Sequence, residues 1–139
     1  MSVAHQASCV AIGGRAVLIE GPPGSGKSSL ALALIDRGAT LVGDDGVMLE
    51  AGGGGLLASP HPEIAGLLEV RNLGLIAYPV ATRVPVALVI AFDPDAPRFI
   101  ETAAQVERAG IALPLVQLWP DNPALALRAE LALTRFGLP

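Results

Sequence analysis

Lysine occurs once in this 139-residue chain, at Lys27, and cysteine once, at Cys9. A single cysteine allows no internal disulfide and fits a reducing, cytoplasmic compartment. Aromatic residues make up only 4%, which removes the stacking platforms that single-stranded nucleic acids need. The eight arginines are scattered and the formal net charge is −4, so there is no basic face for nucleic acid to bind. No stretch approaches the ~18 consecutive apolar residues of a membrane-spanning helix; the longest candidate, Val84 to Phe92, is the size of a strand. The first residues, Met1 to Gln6, lack the basic and apolar regions of a signal peptide. What the chain has instead is apolar residues, 52% against 16% charged. Much of it must therefore be buried in a core or covered by a homo-oligomer interface. The length suits one domain over residues 1–139.

The lone lysine stands in Gly21-Pro22-Pro23-Gly24-Ser25-Gly26-Lys27-Ser28. This octapeptide meets every fixed position of the phosphate-binding pattern G-x-x-x-x-G-K-[ST]. Its glycines let backbone N–H groups turn inward onto phosphate oxygens. Lys27 supplies a point charge for the β and γ phosphates, and the Ser28 hydroxyl is a ligand for Mg²⁺. The flanks agree. Arg15 to Glu20 is a short apolar run that reads as a buried strand, and Ser28 to Arg37 is a Leu/Ala-rich helix stopped by Gly38.

Further along, Gly52 to Gly55 is a hairpin tip between Val47–Leu49 and Leu56–Ala58, and His61-Pro62-Glu63 opens a short helix through Leu67. Leu73–Tyr78, Val84–Phe92 and Ala112–Leu118 read as strands. Phe99–Arg108 and Ala124–Arg135 read as helices. The sum is a single α/β domain, a nucleotide-binding fold with a mixed β-sheet and few helices.

Thr40-Leu41-Val42-Gly43-Asp44-Asp45 follows the first helix. A strand–helix–strand crossover runs parallel, and ligands collect at the carboxyl ends of the strands. Asp44 and Asp45 are therefore expected at the same edge as the phosphate loop, where a carboxylate holds Mg²⁺ or takes a proton from an attacking hydroxyl. Neighbouring side chains on an extended segment point opposite ways, so one aspartate faces the site while the other braces the turn.

These elements together resemble the HPr kinase/phosphorylase family. Its members pair the phosphate loop with a Leu-Val-Ala-Asp-Asp segment, here Leu41-Val42-Gly43-Asp44-Asp45. A second family motif, Glu-[Ile/Val]-Arg-Gly-Leu-Gly-[Ile/Leu], is here Glu69-Val70-Arg71-Asn72-Leu73-Gly74-Leu75, and a histidine before the loop is here His5. The match spans residues 3 to 78 well and the tail only loosely. The resemblance implies the fold of the HPr kinase C-terminal domain, which is like that of phosphoenolpyruvate carboxykinase. It implies a kinase that uses ATP and Mg²⁺ to phosphorylate a serine of the phosphocarrier HPr, and the reverse phosphorolysis. Carried over by motif, Asp45 is the proton acceptor, His5 tunes it, and Lys27 stabilises the transferring phosphoryl group. By the same carry-over Ser28 and Glu69 hold Mg²⁺, Arg71 contributes to the site, and Arg98 is a weaker match to a catalytic arginine. Family members are about twice as long, so the chain is expected to be a minimal catalytic core.

The chain also departs from the family pattern. Ser29 stands where members have glutamate, Ala39 replaces a histidine, and Asn72 replaces a glycine. The late segment Gln117 to Asn122 lacks the family's basic residues, which bears on the reverse reaction and on subunit contacts rather than on nucleotide binding. Two other readings compete. A small-molecule kinase would carry an arginine-rich lid, which is absent here. A nucleotide sensor without catalysis would have no need of Lys27, Ser28, Asp45 and His5 together.

Overall fold

A computed structural model describes all residues, Met1 to Pro139. Its centre is a parallel pair, β3 (Arg15–Glu20) and β9 (Val84–Phe92), in register from Val17–Leu88 to Glu20–Ala91, with a one-residue shift before Val17. Both strands are rich in Val, Ile and Leu because both of their faces are covered. Side chains alternate across the sheet. Val17 and Ile19 join one core, with Leu88, Ile90 and Phe92, while Ala16 and Leu18 join a second core, with Val86 and Val89.

β2 (Ser8–Ile12) pairs antiparallel with β3 through the two-residue turn Gly13-Gly14, whose φ angles of 57° and 84° suit glycine. After the phosphate loop come α1 (Lys27–Asp36) and β4 (Thr40–Gly43). β4 runs in the same direction as β3, as a crossover requires. It does not pair with β3, however: β2 lies between them, antiparallel to both. The sheet is mixed at this point because the chain enters it from an N-terminal hairpin.

β5 (Val47–Gly52) and β6 (Gly55–Pro60) form the expected hairpin, longer than its apolar residues alone suggested. β1 (Ser2–His5) adds to the outer edge of β5. β9 shares its second edge. Its first residues pair with β6, and its last four run parallel to β11 (Ile111–Leu118). The sheet thus splits and curls, and Leu49, Leu56 and Leu113 from the curled parts fill the second core. The first core is closed by helices: Leu30, Ala31 and Leu34 of α1, and Ala129, Ala132 and Leu133 of α2 (Leu125–Phe136).

Two expected helices are absent. Residues 104–108 form β10 (Ala104–Arg108), the antiparallel partner of β11 across the turn Ala109-Gly110. Its helix-forming Ala, Gln, Glu and Arg are overruled by pairing with an open strand edge. The stretch from His61 to Leu67 is a run of turns, with Ile64 N–H bonded to the His61 carbonyl and Leu67 N–H to that of Ile64. Gly66, at φ 79°, is incompatible with a helix there. The remaining elements, β7 (Leu67–Val70) and β8 (Gly74–Ala77), form a separate two-stranded hairpin. Asn72 in its turn has φ 74°, a conformation open to asparagine as well as glycine, so the Asn-for-Gly departure is conservative. No helix is long and apolar enough to cross a membrane.

Candidate active site

The phosphate loop leaves the carboxyl end of β3 and ends at the first turn of α1. Gly24 and Gly26 take φ angles of 76° and 102°, which turn the backbone N–H groups toward the loop's interior. Gly21 is needed for a different reason: a Cβ there would stand 2.6 Å from Ser25 Oγ and 3.3 Å from the Phe92 ring. The Lys27 ammonium is largely buried and spans the loop, donating to the Gly21 carbonyl at 2.8 Å and to that of Pro22 at 3.3 Å. Ser25 Oγ is buried without a protein partner.

The two aspartates have opposite surroundings. Asp44 is buried and accepts three hydrogen bonds from three elements. The Ser8 and Ser28 hydroxyls donate to Oδ1 at 2.9 and 2.6 Å, and the Glu69 N–H donates to Oδ2 at 2.9 Å. Gly43 before it allows the tight turn, since a Cβ there would meet the Gly46 carbonyl oxygen at 2.5 Å. Asp45 is exposed, at φ 59°. It lines a cavity of about 410 Å³ with Gln6, Lys27, Ser28, Glu69 and Arg71, a lining with no hydrophobic residue. Arg71 lies over the loop, with Nη2 3.9 Å from where a Cβ on Gly24 would stand. A second cavity of about 560 Å³ borders the other side of the loop, between Ser29, Leu30 and Ala33 of α1 and the Pro120–Pro123 segment.

The structure thus brings Lys27, Ser28, Asp45, Glu69 and Arg71 together. His5 is close but oriented otherwise. It shares a third cavity with Asp45, yet its Nε2 is bonded to Glu20 Oε2 at 2.7 Å. Arg98 is not brought to the loop; it is exposed beside Leu118, Trp119 and Arg128 in a separate depression of about 190 Å³. Trp119 donates its Nε1–H to the Ala96 carbonyl, and Arg128 lies over its ring. Burial pushes the Cys9 thiol up, so this cysteine is inert packing.

Several contributors escape a reading of the sequence. Ser8 and Gln6 carry no motif, and the partner of Ser28 is Asp44 rather than Asp45. Glu20, the last residue of β3, is bonded through both oxygens by Arg108, at 2.6 and 2.9 Å. Burial raises the Glu20 pKa, but the hydrogen bonds and charges of Arg108 and His5 outweigh it and hold the carboxyl at about 2. The donor set around Ser28 is a hydroxyl and carboxylates, all hard oxygens. This suits Mg²⁺, which binds through one or two carboxylates plus substrate phosphates. No cluster of three or more His, Cys, Asp or Glu offers an all-protein metal site.

Three outcomes follow from this geometry. Asp44→Ala strands two hydroxyls and an N–H, and should lower unfolding stability by about 3 kcal/mol in urea titrations. Asp45→Asn should stay within about 0.5 kcal/mol of the parent. Glu20 has a folded pKa near 2, below its ordinary 4.5. Its stabilising contribution is therefore complete above about pH 4.5 and lost as pH falls toward 2. The drop in urea midpoint between pH 6 and pH 3 should be smaller in Glu20→Gln than in the parent.

Comparison with known proteins shows the family and the fold. Residues 1–81 match the model of the HPr Serine kinase C-terminal domain. The chain is 47% identical over 66 residues to the HPr kinase/phosphorylase of Clostridium tetani, covering 48% of this chain and 22% of that protein. To the HPr kinase/phosphorylase of Bordetella pertussis it is 50% identical over 64 residues, 45% of this chain and 21% of that protein. The match therefore spans about a fifth of the length of these curated relatives. The solved Hpr(Ser) kinase/phosphatase from Coxiella burnetii superposes with a TM-score of 0.83 at 28% identity, over 95% of this chain and 88% of that one. The likeness of fold thus reaches the tail that sequence resemblance covered loosely. The chain belongs to the HPr serine kinase C-terminal domain family.

Proposed function

We propose that this chain is a catalytic domain that transfers the γ-phosphoryl group of ATP, with Mg²⁺, to a serine of an HPr-type phosphocarrier protein, and that the same site carries out the reverse phosphorolysis. The observation that carries the proposal is the cavity at the phosphate loop that Asp45 lines together with Lys27, Ser28, Glu69 and Arg71. Its rim residues Asp45, Glu69 and Arg71 are exposed. A folded protein can present a serine there, whereas a small-molecule kinase would enclose its acceptor.

In the forward direction the N–H groups of Gly24 to Lys27 and the α1 N-terminus hold the phosphates. The nucleoside lies on the other side of the loop, in the cavity walled by Leu30, Ala33 and Asn122. Mg²⁺, held by Ser28 with Glu69 and Asp44 beside it, supplies neutralisation of the phosphate charge when bound. Lys27 stabilises the charge on the transferring group. Asp45 accepts the proton from the serine hydroxyl as its oxygen bonds to phosphorus and the bond to ADP breaks. Catalysis rests on placement and electrostatics rather than on a covalent intermediate. In reverse, Asp45 returns the proton to the serine oxygen as inorganic phosphate takes the phosphoryl group and pyrophosphate leaves. Arg71, over Gly24 at the rim, orients the protein acceptor, and the exposed hairpin residues Leu73 and Leu75 add apolar contact.

The test is incubation of the chain with labelled ATP, Mg²⁺ and purified HPr. Label on an HPr serine is the expected result. Label on a metabolite instead, or nucleotide binding without turnover, would overturn the proposal. Lys27→Ala should cut transfer on the order of 10²–10³-fold with the fold intact. Asp45→Asn should abolish transfer while ATP–Mg²⁺ still binds, and Arg71→Ala should weaken transfer to HPr far more than it weakens ATP binding.

A further inference from the structure

Glu20 is the last residue of β3, and β3 is hydrogen-bonded on both sides. It is therefore a rigid mount directly before the phosphate loop. The carboxylate is mostly buried, with 17% of the side chain exposed, and so are its partners, Arg108 at 24% and His5 at 26%. Arg108 comes from the end of β10, beside the Ala109-Gly110 turn, and grips both oxygens in a fork. Two parallel charge-assisted bonds fix the plane of the carboxylate. His5 comes from β1, the edge strand beyond β5. One charged cluster thus joins the strand under the loop to two edge strands.

The chemistry of the cluster determines how the imidazole is used. An ionised carboxylate only accepts hydrogen bonds, so the ring nitrogen facing it carries a proton. That nitrogen is Nε2, 2.7 Å from Glu20 Oε2. In the neutral ring the other nitrogen, Nδ1, is then an acceptor, and it has no protein partner among the hydrogen bonds of the structure. The ring forms part of the cavity that holds Asp45, Gln6, Gly46, His61 and Glu63. The charged or titratable groups facing His5 are thus Glu20 from β3, Arg108 from β10, Asp45 after β4, and His61 and Glu63 from the turns after β6.

We infer that Glu20, locked by Arg108, is a positioning residue of the phosphoryl-transfer site: it commits the Nε2–H of His5 and leaves Nδ1 as the ring acceptor on the cavity shared with Asp45. His5 thereby offers Nδ1 as a hydrogen-bond acceptor in one fixed tautomer at the cavity that Asp45 also lines, available to a carboxyl there once the serine proton is on it. A carboxylate behind a histidine has this orienting effect in many acid–base sites. The inference rests on the kinase reading for its consequence, but the tautomer itself is independent of any activity.

The chain has only two histidines, His5 and His61, so imidazole resonances of ¹⁵N-labelled protein are assigned by a single variant, His61→Gln. The parent should show His5 with a protonated, exchange-protected Nε2 and an unprotonated Nδ1. Glu20→Ala should lose that protection. It should also lower kcat for transfer to HPr about tenfold with KM for ATP unchanged. Arg108→Gln, which keeps the carboxylate, should weaken both effects without removing them. A proton on Nδ1 in the parent, protection that survives Glu20→Ala, or a rise in KM for ATP with kcat unchanged would overturn the assignment. Should Glu20→Ala fail to fold, the parent spectrum and Arg108→Gln decide it. Should the parent transfer nothing to HPr, the kinase reading fails, and the role of Glu20 stands or falls on the resonance.

Discussion

Three parts of the chain that lie far apart in sequence meet on one buried carboxylate. Asp44 receives a hydroxyl from β2, a hydroxyl from the first turn of α1 and an N–H from β7. A buried carboxylate is costly unless its oxygens are satisfied, and these three donors satisfy it. In exchange it holds the phosphate-loop serine at a defined place, sets β7 and Arg71 beside the loop, and ties both to the strand that separates β3 from β4. The turn it sits in carries Asp45 outward in a left-handed conformation. The exposed acid therefore stands where it does because the buried one is anchored.

The phosphate loop is supported from behind by a second charged cluster. Glu20 precedes Gly21 and is gripped by Arg108 and His5, while Phe92, at the end of β9, closes against Gly21. The loop thus sits between a rigid parallel strand pair and a helix fixed to the core by Leu30 and Leu34. Sites built on such elements hold their geometry better than sites on free loops. The other side of the cavity is different: Arg71, Leu73 and Leu75 project on an exposed hairpin, which in the proposed function leaves that side open to a protein acceptor.

Local chemistry was readable from the sequence and long-range pairing was not. The loop, its strand and its helix are one contiguous stretch whose glycines, lysine and apolar runs each have a local cause. The hairpin at Gly52–Gly55 was equally visible. The insertion of β2 between β3 and β4 leaves no trace in residues 15–43, because sheet order depends on where an N-terminal hairpin docks. Residues 104–108 have helical composition and become a strand only because β11 offers an edge. The aspartates could be placed at the site, and one of them as a brace, but which hydroxyl the brace takes depends on Ser8 and Glu69, 36 and 25 residues away. The Glu20–Arg108 pair spans 88 residues, and neither residue belongs to a motif.

In the proposed function Asp44 holds Ser28 in position for the metal that accompanies the nucleotide, while Asp45 is left to the acceptor. Calorimetric titration of ATP into the parent and into Asp44→Asn, with and without Mg²⁺, tests it directly. ATP should bind both proteins alike without the metal, and the gain in affinity on adding Mg²⁺ should be largely lost in Asp44→Asn. An undiminished Mg²⁺-dependent gain in that variant would contradict it.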